Sequence, residues 1–318
     1  DHNPAADAVT RYPQASGPLV CDPHEIFDTV KIRARIADLA EGKDNAALRG
    51  EVVSLLRDAN MAGRKVIAEA FAQAPFDSRP VTRSYTFLTD GLVTSALFAA
   101  NEFMHPLSNP TRGERIAVMA VGGYGRGEMA PASDVDLLFL TPYKITAWAE
   151  SVIESMLYIL WDLKLKVGHA SRTIQDCLRL GREDFTIRTA MLEHRFLAGD
   201  EALGEELAQR LTNDLFGGTA REFIEAKLNE REARHIKQGQ RYMVEPNVKE
   251  GKGGLRDLQS MYWIAKYLYQ VHDTAELVPL GLFRPEEYEL FAKADNFLWA
   301  VRSHLHLLTG RATETLSF

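Results

Sequence analysis

Residues 121–140 read VGGYGRGEMAPASDVDLLFL, and this stretch decides the fold. A Gly-Gly pair closes the apolar run 116–121, and Asp134 and Asp136 stand at the start of a second apolar run, 135–140. Short apolar runs bounded by Arg112-Gly113, by the glycines and by Thr141-Pro142 read as buried strands rather than helices. Side chains at i and i+2 of a strand share a face, so Asp134 and Asp136 project together. Two carboxylates so placed repel each other. Magnesium, a hard cation that pairs one or two carboxylates with substrate phosphates, relieves that repulsion. Gly122 and Gly123 let backbone N–H groups approach a phosphate with no side chain between, and Arg126 is close enough in sequence to add charge. Neither half is decisive alone, because Asp-x-Asp also occurs in plain turns and GGYGRGE is neither GxGxxG nor GxxxxGK[ST]. Together they describe a site for a nucleoside triphosphate and its metal ions.

On the N-terminal side the period is helical. Asp22-Pro23 opens a helix through Ile26, Val30, Ile36 and Leu39 that closes near Gly42, and Asp44 caps a second that Pro75 ends. A third carries Leu88, Leu92, Leu97 and Phe103 up to Pro106. On the C-terminal side a helix is expected over about 146–163, then a third strand over 164–171, then packed helices at 174–180, 185–197, 202–211 and 223–234. The charged segment KLNEREARHIKQGQR at 227–241 reads as a solvated helix face. The turn-rich insert EPNVKEGKGGLRDLQ at 245–259 interrupts the helices, which resume to the end. The expected organisation is a flexible tail at 1–20, a helical arm at 21–106, an α/β core with a small mixed sheet at 107–200, and a helical domain at 201–318.

Composition narrows the class. The chain has 318 residues, 46% of them hydrophobic and 25% charged, and a net charge of −7. That is ordinary globular composition, and the acidic balance argues against holding nucleic acid by bulk charge. No apolar run approaches the roughly 20 residues of a membrane helix, and the N-terminus lacks the basic and apolar blocks of a secretion signal, so the cytoplasm is the expected address. Two cysteines, Cys21 and Cys177, with no CxxC, indicate neither a disulfide framework nor a zinc site.

The Gly-Gly turn followed by Asp-x-Asp on the next strand resembles the nucleotidyltransferase superfamily that includes DNA polymerase beta. GGYGRGEMAPASDVDLLFL, KVGHASRT, TAMLEHRFLAGD and above all PNVKEGKGGLRDLQ resemble the bacterial PII uridylyltransferase family over roughly residues 80 to 318. The resemblance implies transfer of UMP from UTP to a tyrosine of the PII signalling protein, with pyrophosphate released. Gly122 and Gly123 would be the triphosphate turn, and Asp134 and Asp136 the magnesium ligands. Members of the superfamily often carry a third carboxylate on a neighbouring strand; Asp162 is the candidate here, with Asp184 or Glu193 behind it. Lys249, Lys252 and Arg256 would neutralise triphosphate if the insert folds over the site, whereas pairing with Glu245, Glu250 and Asp257 would make it a self-paired surface loop.

Tyr124 either stacks on a base or packs. His272-Asp273 reads as incidental rather than as part of a metal phosphohydrolase, and His169, His194, His304 and His306 read as structural. Family members continue into a hydrolase domain and glutamine-sensing domains, so deuridylylation and glutamine sensing are expected outside this chain. The alternatives are a glutamine-synthetase-type adenylyltransferase using ATP and a catalytically silent nucleotide-binding module.

Overall fold

The computed structural model describes residues 17–238 and 244–317; the first part of the expected tail and the end of the charged segment, 239–241, lie outside the described residues. Asp22, Asp28 and Asp44 each accept a hydrogen bond from a first-turn amide and so cap α1 (Pro23–Ile26), α2 (Thr29–Ala40) and α3 (Asn45–Gln73). The single helix expected from Asp22 is thus broken at Phe27, and Val30 faces solvent. The helix α4 (Ser78–Ala99) runs on into a π-helical turn, Ala100–Met104.

The sheet has four strands in the order β3-β2-β1-β4. The first, β1 (Ala117–Ala120), pairs antiparallel with β2 (Val135–Thr141), placing Ala120 opposite Leu137. Between them sits α5 (Gly122–Arg126), a five-residue helix. The crossover α6 (Ala147–Asp162) leads to β3 (Val167–Thr173), parallel to β2 with Asp136 opposite Gly168. After α7 (Ile174–Glu183) and α8 (Phe185–Leu192), β4 (Arg195–Gly199) pairs antiparallel with the other edge of β1. This fourth strand corrects the expected helix over 185–197: pairing with a distant strand overrides the local helical period.

Alternation assigns the sheet's two faces. Val118, Ala120, Leu137 and Phe139 share one core with α2, α3, α4 and α6, so the arm helices and the sheet are packed as one body. Ala117, Met119, Leu138 and Leu140 share a second core with Ile174, Cys177 and Leu178 of α7, and with Leu203 and Leu207 of α9 (Glu201–Arg210). Burying each such Leu or Phe contributes about 1.5–3 kcal/mol. Asp134 and Asp136 share the parity of Leu138 and Leu140 and lie where this second face runs out.

The remaining α-helices among the described residues are α10 (Ala220–Gln238), α11 (Leu255–Tyr269) and α12 (Pro285–Thr309). Phe223 of α10 stacks on Tyr267 of α11 with ring centres 4.0 Å apart. A small cluster of Ala130, Leu255 and Trp299 joins the loop before Asp134 to α11 and α12. Among the described residues no helix is long and apolar enough to cross a membrane.

Candidate active site

The carboxylates come first. Asp136 is half-buried in β2, and Asp134 is exposed just before it. Gly122 lies beside Asp136 with φ +59°, a conformation glycine favours, and a Cβ there would stand 3.5 Å from Oδ2. On the other side, a Cβ at Gly168 would collide with Oδ1. The carboxylate therefore occupies a slot between two glycines, and Gly168, a glycine inside a strand, is a site residue the sequence reading passed over.

Burial and the nearby Asp134 both raise the pKa of Asp136, and the charge of Lys249 partly offsets them. A raised carboxylate pKa means that the ionised form is unfavourable without a cation. The hard oxygen donors of Asp134 and Asp136 fit magnesium. Among the described residues no cluster of three or more His, Cys, Asp or Glu is gathered closely enough to hold a metal, so phosphate oxygens would have to complete the coordination.

The glycine turn sits directly above. The first amides of α5 have no intrahelical acceptor, which suits a phosphate. Gly123 has room, since a Cβ there would make only an ordinary contact, 3.6 Å from Arg126 Nη2. Gly125 has none: a Cβ would run into the carbonyl of Glu193. Tyr124 is buried beneath Arg195, 5.4 Å from its ring centre, and so packs. Arg126 is buried too, bonded to Glu193 and, from Nε, to Glu128 Oε2 at 2.6 Å. Burial would lower its pKa, but the two carboxylates raise it further. Removing one partner of such a buried pair costs about 3–5 kcal/mol. Arg126 thus supports the turn from behind while its charge is met by protein.

The three candidates for a third acid are engaged elsewhere. Asp162, at the end of α6, faces the arm: its carboxylate is 3.9 Å from Arg49 Nε, and its carbonyl accepts from Arg57. Asp184 caps α8 by accepting from the amides of Thr186 and Ile187. Glu193 is the buried partner of Arg126.

The insert does reach the site, though its three cations part company. Lys249 is close enough to Asp136 to lower its pKa, and its ammonium lies 3.8 Å from Glu314 Oε1. Burial and the charge of Arg302 depress the pKa of Lys249 itself, against the pull of Glu314. Arg256 is tied to Glu250 at 3.2 Å and donates to Gln259 at 3.0 Å. Lys252 is exposed, at the turn where Gly253 takes φ +79°.

Two remote anchors hold the insert. Asp257 accepts from Gly253 N–H at 2.7 Å and is paired with Arg234 and His235 of α10. That face of the charged segment is therefore packed rather than solvated. At the other end Asn247 bridges Thr315, and Val248 N–H donates to Glu314 O at 2.8 Å.

The loop leading to Asp134 is pinned from both sides. Arg64 of α3 donates to Pro131 O at 2.6 Å, and Ala132 N–H donates to His306 Nδ1 of α12 at 3.2 Å. His304, by contrast, stacks on Phe71 and bonds Pro75 O.

A cavity of about 140 Å³ opens behind Arg126, between α4, α11 and α12. Arg79, Arg83, Gln259, Tyr262 and Asp295 line it. Arg79 lies 3.4 Å from Asp295, whose burial, with Glu128 nearby, pushes its pKa up to about 7. Arg83 makes no hydrogen bond or ion pair among the described residues, and burial beside Arg79 lowers its pKa. At the cavity's edge Asp273 caps the short helix Thr274–Leu277, a local role for the His272-Asp273 pair.

A paired-aspartate strand, a glycine turn above it and a mixed sheet backed by helices are the parts of a nucleotidyltransferase, and residues 108–195 match the family described as nucleotidyltransferase domain. Residues 222–318 match the GlnD PII-uridylyltransferase family. Over 92% of its length the chain is 72% identical to a bifunctional uridylyltransferase/uridylyl-removing enzyme from Ruegeria pomeroyi, of which it covers 32%. Over 99% of its length it is 58% identical to the protein of that name from Cereibacter sphaeroides, of which it covers 34%. The chain belongs to this uridylyltransferase/uridylyl-removing family, through its nucleotidyltransferase part, and spans about a third of the length of these curated relatives.

Proposed function

We propose that the chain carries the uridylyltransferase centre of its family, transferring UMP from UTP to a tyrosine of a PII signalling protein in the cytoplasm and releasing pyrophosphate. The observation that carries this reading is the Asp136 carboxylate, slotted between Gly122 and Gly168 and within reach of the charge of Lys249. A magnesium ion held by Asp134 and Asp136 would supply Lewis acidity at the phosphates and acidify the attacking phenol.

The remaining work falls to the chain itself. Gly122 and Gly123 offer amides to the triphosphate without steric cost, and Lys249 adds a partly desolvated charge on its flank. The cavity behind the turn, lined by Arg83 and Gln259, is the place we assign to the base. The two buried cores keep this frame rigid, so substrate binding need not order it.

Mass spectrometry of PII after incubation with the chain, magnesium and either UTP or ATP tests the reading. The expected result is a UMP adduct on tyrosine that disappears with Asp134→Asn plus Asp136→Asn. An AMP adduct would point to an adenylyltransferase. An adduct that survives the double substitution would remove these aspartates from the chemistry.

A further inference from the structure

Glu314 stands where the insert meets the helix that holds the loop before Asp134. Its carboxylate takes two hydrogen bonds from Arg302, each 2.8 Å, and stands 3.8 Å from Lys249 Nζ and 3.6 Å from His306 Nε2. His306 is buried and accepts from Ala132 N–H through Nδ1, so its neutral form carries the proton on Nε2, the nitrogen nearest Glu314. Glu314 thereby stands against the histidine that holds the loop before Asp134 and against the cation whose charge acts on Asp136.

The connection is built for a permanent charge. Burial would raise the pKa of Glu314, but His306, Arg302 and Lys249 overcome it and bring it down to about 2. Its backbone is fixed as well: Glu314 O accepts from Val248, and Leu316 N–H donates to Pro246 O at 3.0 Å. Arg302 alone would satisfy the carboxylate bidentately. The further approach of Lys249 and His306 to the same oxygen is what a purely structural Arg-Glu pair does not require.

We infer that Glu314 is a positioning residue of the nucleotide site, setting Lys249 against Asp136 and, through His306, setting the loop that presents Asp134. This rests on the reading of that site as one for magnesium and UTP. Glu314 itself touches no substrate, so it acts by geometry: released from Glu314, Lys249 would swing on a flexible four-carbon stem.

The test is calorimetric titration of the full chain with UTP in magnesium, for the wild type, Glu314→Gln, Glu314→Asp, Lys249→Ala and the Lys249→Ala/Glu314→Gln double variant, with thermal melts alongside. Glu314→Gln is expected to weaken binding about ten-fold, Glu314→Asp to recover part of it, and the Glu314→Gln effect to shrink to about two-fold once Lys249 is gone, because the two act through one contact. An equal loss in both backgrounds would make Glu314 merely structural and overturn the inference, as would unchanged affinity in Glu314→Gln. A wild type that fails to bind UTP with magnesium would overturn the reading of the site itself, and the inference with it.

Discussion

The charge of Lys249 acts on Asp136, yet the two are held in different ways. Asp136 is fixed within its own sheet: Val121 N–H bonds its carbonyl at 3.1 Å, and Gly122 and Gly168 leave its carboxylate a slot. Lys249 sits on an insert that is held from outside, by Arg234 and His235 of α10 and by the segment carrying Glu314 and Thr315. The acids are therefore set by strand register, which changes in steps of a whole residue. The cation is set by a few polar contacts, each worth about 0.5–3 kcal/mol, and can be adjusted. On the function proposed above, the half of the site assigned to metal is rigid and the half assigned to phosphate is tunable.

Substitutions in the rigid half should have the largest effects. Asp134→Asn plus Asp136→Asn is expected to lower the transfer rate by roughly 10²–10³-fold or more, as for loss of a principal electrostatic group. Without metal, Asp136→Asn should melt no lower than the wild type, because the ionised carboxylate is destabilised in place, its pKa raised by burial and by Asp134. A clear fall in Tm would show that the carboxylate stabilises the sheet.

Next is Gly168→Val, which drives a side chain onto Asp136 and overpacks an ordered strand at a cost of about 1–3 kcal/mol. Magnesium-dependent UTP binding should be lost while circular dichroism stays native. Retained binding would mean that Asp136 does not work from this slot.

The tunable half should give graded losses. Lys249→Ala is expected to weaken UTP binding about ten-fold, the value of one charge-assisted contact of about 1.4 kcal/mol. Lys252→Ala should weaken it about two-fold, since an exposed charge is screened, and should leave metal binding unchanged. If Lys252→Ala proves the stronger of the two, the insert meets the nucleotide with its tip.

Acid should also find the tunable half. The pKa of Glu314 in the fold is about 2, below the ordinary value of 4.5, so its contribution to stability is complete above about pH 4.5 and is lost as pH falls toward 2. In acid melts, Glu314→Gln should therefore lose its deficit relative to the wild type over that window.

The same division decided what could be read in advance. Strands β1 and β2, the glycine turn and the two aspartates are local patterns, legible because period and turn chemistry are short-range. Strand β4 was not legible, since five residues with a brief apolar run take their state from pairing with β1. The third-acid candidates show the limit within the site. Sequence proximity singled out Asp162, whereas the fold turns it toward Arg49, and Glu193 is absorbed by Arg126. Grouping Lys249, Lys252 and Arg256 treated as one basic patch what tertiary contacts separate into three environments. Glu314 and His306 carried no pattern, because their importance arises only where α12 and the insert meet.

A crystal structure of the chain with magnesium and a non-hydrolysable UTP analogue tests the central claim most directly. The expected result is a metal bound by Asp134 and Asp136, phosphates on the Gly122–Gly123 amides, Lys249 against the triphosphate and the base in the cavity behind Arg126. A nucleotide bound elsewhere, or a metal held without these two aspartates, would contradict it.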